Sequence, residues 1–190
     1  MATTSDLFVG AVLKIDGNLC DVLEFQHRTP GNLRAFYQVK MRNLRSGKSF
    51  ELRFRSGEEL QFVELETKKL QYLYHNGDDY MFMDTDNYEQ FPVAAEALGE
   101  KAGFLKEGEM VSIDFNGHDV IRVDVPNFVE LAVTDTEPGI RGDTAQGATK
   151  PATVETGAKV QVPLFINVGD VLKIDTRTAQ YLERVKAVQS

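Results

Sequence analysis

The feature that most restricts the fold of this chain is a period of two that restarts many times and never lengthens into a period of 3.6. Leu13 and Ile15 alternate with Lys14 and Asp16. Tyr37, Val39 and Met41 alternate with Gln38, Lys40 and Arg42, and Phe50, Leu52 and Phe54 with Glu51, Arg53 and Arg55. Such alternation marks a strand with one face buried and one wet. The runs end at turn signals: Asp16-Gly17-Asn18, Pro30-Gly31, Arg45-Ser46-Gly47-Lys48, Asn76-Gly77-Asp78-Asp79 and Asn116-Gly117-His118. Proline pre-sets φ at a first corner and glycine takes positive φ at a second. Further strands are expected over 21–25, 69–75, 80–84, 109–115, 119–125, 129–133, 159–162, 171–175 and 180–186, with one short helix over 92–98 and a loop over 134–149. The chain therefore reads as all-β, its 190 residues forming three small closed barrels over 1–64, 65–127 and 128–190. Closure removes exposed strand edges. Val9–Asp16 and Val168–Asp175 agree at seven of eight residues. The echo covers one strand, so it reads as shared strand grammar and not as a repeat array.

Charge is unevenly spread. From Arg28 to Arg55 the basic residues are Arg28, Arg34, Lys40, Arg42, Arg45, Lys48, Arg53 and Arg55, against one acid, Glu51; this +7 stretch lies in a chain of net −8. The period of two puts these side chains on the faces away from the core. Two neighbouring basic strands and a basic loop suit approach to a polyanion. The middle block, 65–128, carries net −8 and would face solvent or protein. No run approaches the ~18 apolar residues of a membrane span. The N-terminus lacks the basic and apolar regions of a secretory signal, and Cys20 stands alone, as suits a reducing cytosol. A cytoplasmic protein without membrane contact is expected.

No catalytic or metal-ligating constellation can be assembled. His27, His75 and His118 are far apart, Cys20 has no nearby basic partner, and neither a phosphate-binding Gly-Lys loop nor a Gly-x-Ser-x-Gly elbow is present. Asp78, Asp79, Asp84 and Asp86 lack the glycine and glutamate spacing of a calcium loop. No catalytic residue, metal or cofactor is expected. What remains is a set of presented loops. One is the basic hairpin tip. Another is Gly139-Ile140-Arg141-Gly142-Asp143-Thr144, whose backbone N–H groups and short polar side chains suit ribose or phosphate.

Three stretches carry a resemblance to bacterial elongation factor P. Pro30-Gly31-Asn32-Leu33-Arg34-Ala35-Phe36 is similar to that family's Pro-Gly-Lys-Gly-x-Ala-Phe tip loop. Pro138-Gly139-Ile140-Arg141-Gly142-Asp143-Thr144 is similar to its Gly-Asp-Thr loop. Lys150, Ala152, Gly157, Val160, Val162-Pro163, Ile166 and Gly169 follow the spacing of its long C-terminal signature, and Asp175-Thr176-Arg177, Tyr181 and Arg184-Val185-Lys186 match its ending. The resemblance implies an SH3-like (KOW-like) barrel followed by two OB-folds in an L-shaped arrangement, with a monomer expected. It implies binding to both ribosomal subunits beside peptidyl-tRNA, and relief of stalling at consecutive prolines. Pro30, Gly31, Asn32, Leu33 and Arg34 would reach the acceptor end. Arg28, Lys40, Arg42, Arg45, Arg53 and Arg55 would meet rRNA and tRNA backbone. Gly142, Asp143 and Thr144 would lie toward the small subunit, and Tyr181 and Arg184 against the tRNA body.

The tip departs from the family. Its lysine, or in one branch arginine, is enzymatically extended, whereas Asn32 has no amine to acylate and Leu33 stands where the family has glycine. Either Asn32 works unmodified on a stiffer loop, or Arg34 carries a modification from a tip-modifying enzyme or supplies the cation itself. Two further classes are a generic OB-fold RNA-binding protein and a structural interaction module. The first would need aromatics interleaved with basic residues, but Tyr72, Tyr74, Tyr80 and Phe82 sit in the acidic block.

Overall fold

The structure, a computed structural model, describes residues 1–139 and 147–187. Its regular structure there is almost entirely strand. The first sheet contains β1 (Val12–Ile15), β2 (Asn18–Arg28), β3 (Phe36–Asn43) and β4 (Ser49–Arg55), antiparallel and in that order. The two-residue turn between β1 and β2 places Asp16 at φ +48° and Gly17 at φ +81°. Two positive corners are what a hairpin turn matched to strand twist requires. Inward-facing Leu13, Cys20, Val22, Val39, Met41 and Phe54 form the core with Leu7 and Ala11. Leu13 also bridges to Phe62, folding the chain back over β1.

The second sheet contains β5 (Glu66–Asn76), β6 (Asp79–Met83), β7 (Gln90–Ala94), β8 (Met110–Asn116) and β9 (Asp119–Asp124), ordered β7-β6-β5-β8-β9. The helix expected over 92–98 is shorter: β7 runs to Ala94 and only Ala95–Leu98 is helical. Pro92 is compatible with a strand there because β7 is an edge, where a missing N–H leaves no ladder partner orphaned.

The third sheet contains β10 (Phe128–Thr136), β11 (Thr149–Val154), β12 (Lys159–Pro163), β13 (Val171–Asp175) and β14 (Gln180–Lys186), ordered β12-β11-β10-β13-β14. Its end strands β12 and β14 also meet. Two expectations change here: β10 continues past Val133 to Thr136, and β11 is a strand not anticipated. Pro151 hid it. Pro151 lies one residue past the last β10–β11 pair, Thr136 with Ala152, so the ladder loses no donor. The Thr136 hydroxyl instead donates to the Pro151 carbonyl at 3.0 Å.

By proximity the chain forms two compact units, Met1–Glu66 with Asp114–Ile121, and Thr67–Ile113 with Arg122–Ser190. Within the second unit, the 3₁₀ turn Gly99–Phe104 sends Phe104 into the core of the third sheet, among Val129, Leu131, Val160, Ile166 and Leu172. Lys106 pairs with Glu155 at 3.0 Å, and Glu155 also accepts the Ala132 N–H at 3.0 Å.

Candidate nucleic-acid interface

Strand register decides which basic side chains can act together. On the outer face of the first sheet, rows run across β2, β3 and β4. Nearest the tip are Arg28, Phe36 and Arg55; then Gln26, Gln38 and Arg53; then Glu24, Lys40 and Glu51; then Asp21, Arg42 and Ser49. Directly opposed residues share a face, so these rows are contact groups.

The rows carry different charge. Arg42 grips Asp21 through two bonds, Nη2 to Oδ2 at 2.7 Å and Nε to Oδ1 at 3.3 Å, and Asp21 is only 3% exposed. Lys40 stands between Glu24 and Glu51, and Gln38 Nε2 donates to Glu51 Oε2 at 2.8 Å. Arg45 and Lys48 sit in the β3–β4 turn, at the end of β3 away from the tip. At ~3.3 Å per residue, that eight-residue strand separates them from the first row by roughly 20 Å. The basic stretch read as one arm is therefore divided. At the tip end no arginine side chain is held in an ion pair among the described residues. The side chains of Arg34, Arg53 and Arg55 have no carboxylate partner among the described residues, although the Arg55 N–H donates to Glu58 Oε2 at 2.7 Å, and the Arg28 side chain donates only to Gln26 at 3.0 Å. The Arg53 guanidinium lies over the Phe36 ring, 5.2 Å from its centroid.

The tip is a β-turn closed by the Leu33 N–H donating to the Pro30 carbonyl at 3.0 Å. This corrects the expected corners. Pro30 opens the turn, Gly31 and Asn32 are its corners, and none of Gly31, Asn32 or Leu33 has positive φ. Leu33 therefore replaces glycine without left-handed strain. A Cβ on Gly31 would meet nothing within 4 Å. Gly31, Asn32, Leu33 and Arg34 are exposed, Leu33 to 74%.

In the third sheet Tyr181 is half-buried against the core. Arg184 reaches Asp170 Oδ2 at 3.5 Å and lies over the Phe165 ring at 5.1 Å. The β13–β14 register skips Leu182 and Val185, so two bulges bracket Arg184. Bulges re-aim neighbouring side chains. Gly142, Asp143 and Thr144 lie outside the described residues. The flanks of their loop are fixed: buried Lys150 donates to the Glu137 carbonyl at 2.6 Å, and any Cβ on Gly139 would run into the Leu164 carbonyl oxygen. Sequence reasoning gave Phe36 and Phe165 no role beyond the tip motif. Both are partly or fully exposed rings beside an arginine distant in sequence, a pairing visible only in the folded chain.

Several other ionisable groups are held in structural contacts. Burial first, then Asp21 and Asp16, pushes the Cys20 thiol up. Two hydrogen bonds from the Arg177 guanidinium, at 2.7 and 3.0 Å, hold the Asp175 carboxyl down to about 2. The His27 and His75 rings stack on Tyr37 and Tyr80 at 4.5 and 4.4 Å. Among the described residues no His/Cys/Asp/Glu group is arranged to hold a metal, and no helix is long and apolar enough to cross a membrane. Tyr72 and Phe82, aromatics that a stacking face would need, are buried to 6% and 0% exposure.

Family models match in chain order: the elongation factor P KOW-like domain over residues 3–60, its OB domain over 65–123 and its C-terminal domain over 129–184. The elongation factor P of Chloroherpeton thalassium is 52% identical over 98% of this chain and 100% of its own length. Those of Coprothermobacter proteolyticus and Natranaerobius thermophilus are 49% and 46% identical over 97% and 98% of this chain, and 100% and 99% of their own. Among solved structures, eukaryotic translation initiation factor 5A from Methanococcus jannaschii aligns at TM-score 0.47 and 22% identity, over 64% of this chain and 94% of that one. The fold and these matches define a translation elongation factor built from KOW-like and OB domains, not a classical enzyme. The chain belongs to the elongation factor P family.

Proposed function

We propose that this factor binds the ribosome beside peptidyl-tRNA and speeds peptide-bond formation where consecutive prolines stall it. The observation that carries the reading is the exposed, hydrogen-bonded Pro30–Leu33 turn backed by arginines whose side chains pair with no carboxylate among the described residues, in a chain of this family. Such a tip can hold an acceptor end without doing chemistry. Proline is a poor nucleophile in a constrained geometry, and fixing peptidyl-tRNA near its attack arrangement removes entropy from the barrier. No proton-transfer group is required.

Arg28, Arg34, Arg53 and Arg55 serve as the phosphate contacts of this reading. Lys40 and Arg42 contribute less, since acids flank the first and clamp the second. Gly142, Asp143 and Thr144 face the small subunit, and Tyr181 and Arg184 the tRNA body. The functional domains are 1–64, 65–127 and 128–190, in a cytoplasmic monomer. The loop keeps the family's length with no register shift, which favours an unmodified Asn32 over a modified Arg34. Intact mass of protein from its native cells decides: a bare mass agrees, and an added group on Arg34 refutes that choice.

The test is translation in vitro of a reporter with three consecutive prolines, using protein made in a host without tip-modifying enzymes. Relief of the stall is expected. Ribosome binding without relief would remove the unmodified tip from the reading, and absence of binding would remove the reading itself.

A further inference from the structure

We infer that the Arg53–Phe36 stack is a seat for one unpaired nucleobase, with Arg28 and Arg55 holding the phosphates beside it. The inference rests on the RNA-facing reading above and deepens it. Phe36 occupies the centre of the first outer row, with Arg28 opposite on β2 and Arg55 opposite on β4. Arg53 sits diagonally, paired with Gln38, and its guanidinium lies over the Phe36 ring at 5.2 Å. The ring covers one side of the guanidinium within cation–π range. Arg53 is exposed, and its side chain has no carboxylate partner among the described residues, so its other side is open to a planar ligand.

Each part of this arrangement has a chemical consequence. A guanidinium beside an aromatic ring can stack its plane on a nucleobase, which an ammonium cannot do. A base inside a duplex offers no free face, so the ligand is an unpaired stretch or end of RNA. Flanking arginines match phosphates as bidentate partners. The neighbouring rows limit the site: Glu24 and Glu51 beside Lys40 would repel a backbone passing farther down the face. The seat is therefore short, one base and its adjoining phosphates.

The test uses the full-length protein and a single-stranded RNA dodecamer with 2-aminopurine next to its 3′ end. Binding is followed by fluorescence quenching across a salt series. Wild-type protein should quench the probe. Arg53→Lys keeps the charge and should keep the salt slope, while affinity falls about tenfold and quenching is lost, the scale of one lost stacking contact. Arg55→Ala should keep the quenching and lower the slope by about 0.7, one single-strand phosphate contact. Phe36→Leu should behave like Arg53→Lys, and Phe36→Tyr should restore quenching. Circular dichroism checks that each variant is folded, and Arg53→Lys alone suffices if Phe36→Leu is not. Absence of quenching by wild type, or equal quenching by Arg53→Lys, overturns the seat. Ribosome pelleting on the same proteins separates the two claims: wild type that quenches RNA yet does not pellet refutes the ribosomal reading and leaves the seat standing.

Discussion

Val9–Asp16 in the first sheet and Val168–Asp175 in the third differ at one residue in eight, and the structure makes them near copies. Gly10 has φ +92° and Gly169 φ +93°. Gly10 N–H donates to the Val22 carbonyl and Gly169 N–H to that of Val133, both at 2.8 Å; Val22 N–H returns to Ala11 at 2.8 Å and Val133 N–H to Asp170 at 2.9 Å. Ala11 N–H closes on Phe8, and Asp170 N–H on Asn167. The echo therefore extends beyond strand grammar to a shared turn, glycine conformation and partner-strand pairing. The single difference, Ala11 against Asp170, changes the use of the frame. Ala11 packs into an apolar core. Asp170, just as buried at 1% exposure, accepts the Asn167 N–H at 2.9 Å and meets Arg184. One carboxylate turns a packing strand into the anchor of an arginine on the neighbouring strand.

Exchanging that residue breaks the comparison most directly. Ala11→Asp places a carboxylate in a core where the third sheet's arginine has no counterpart, and urea denaturation should show a loss of about 3 kcal/mol or more. Asp170→Ala makes the third segment match the first, and orphans the Asn167 N–H and Arg184. A loss of about 1–3 kcal/mol is expected, with weaker ribosome association if Arg184 needs its anchor.

Gly10→Ala and Gly169→Ala sharpen it. Their φ values agree, so each should cost about 1–2 kcal/mol for backbone strain, and a mismatch above ~0.5 kcal/mol would mean the frames are not equivalent. A smaller effect separates the segment ends. Asp175 is held down to about 2 by Arg177, so its contribution is present above pH ~4, the unfolded value, and fades as pH falls toward 2. Arg177→Gln should flatten the acid limb of the melting temperature in that window. Smallest of all, Gly31→Ala should leave stability within about 0.5 kcal/mol, since neither φ nor space requires glycine there. A drop in stall relief by that variant would assign the glycine to the bound partner.

The strands were legible because alternation is local, and the tip turn because Pro-Gly is local. β11 was missed because Pro151 argues against a strand unless the neighbour's end is known. The charge map was the larger gap. Between Val22 and Glu24 the β2–β3 register shifts at a bulge. Val22 thereby turns into the core, and Asp21 comes opposite Arg42 and neutralises it. A bulge of one residue leaves no mark in composition or period, yet it decides which arginines remain available. The Arg53–Phe36 stack was hidden for the same reason, since its members are 17 positions apart in the chain.

Phe104 has a consequence for the order of synthesis. A chain emerging from its N-terminus exposes this aromatic ring before any strand of the third sheet exists to cover it. It reaches 5% exposure only among side chains as late as Leu172 and Ile174. Until those are made, the nascent protein carries an uncovered ring, the kind of surface that holds chaperones or seeds aggregation. Newly made copies halted late in translation should therefore be sticky where finished ones are not, and a factor of this family is, for that interval, a client of the machine it serves.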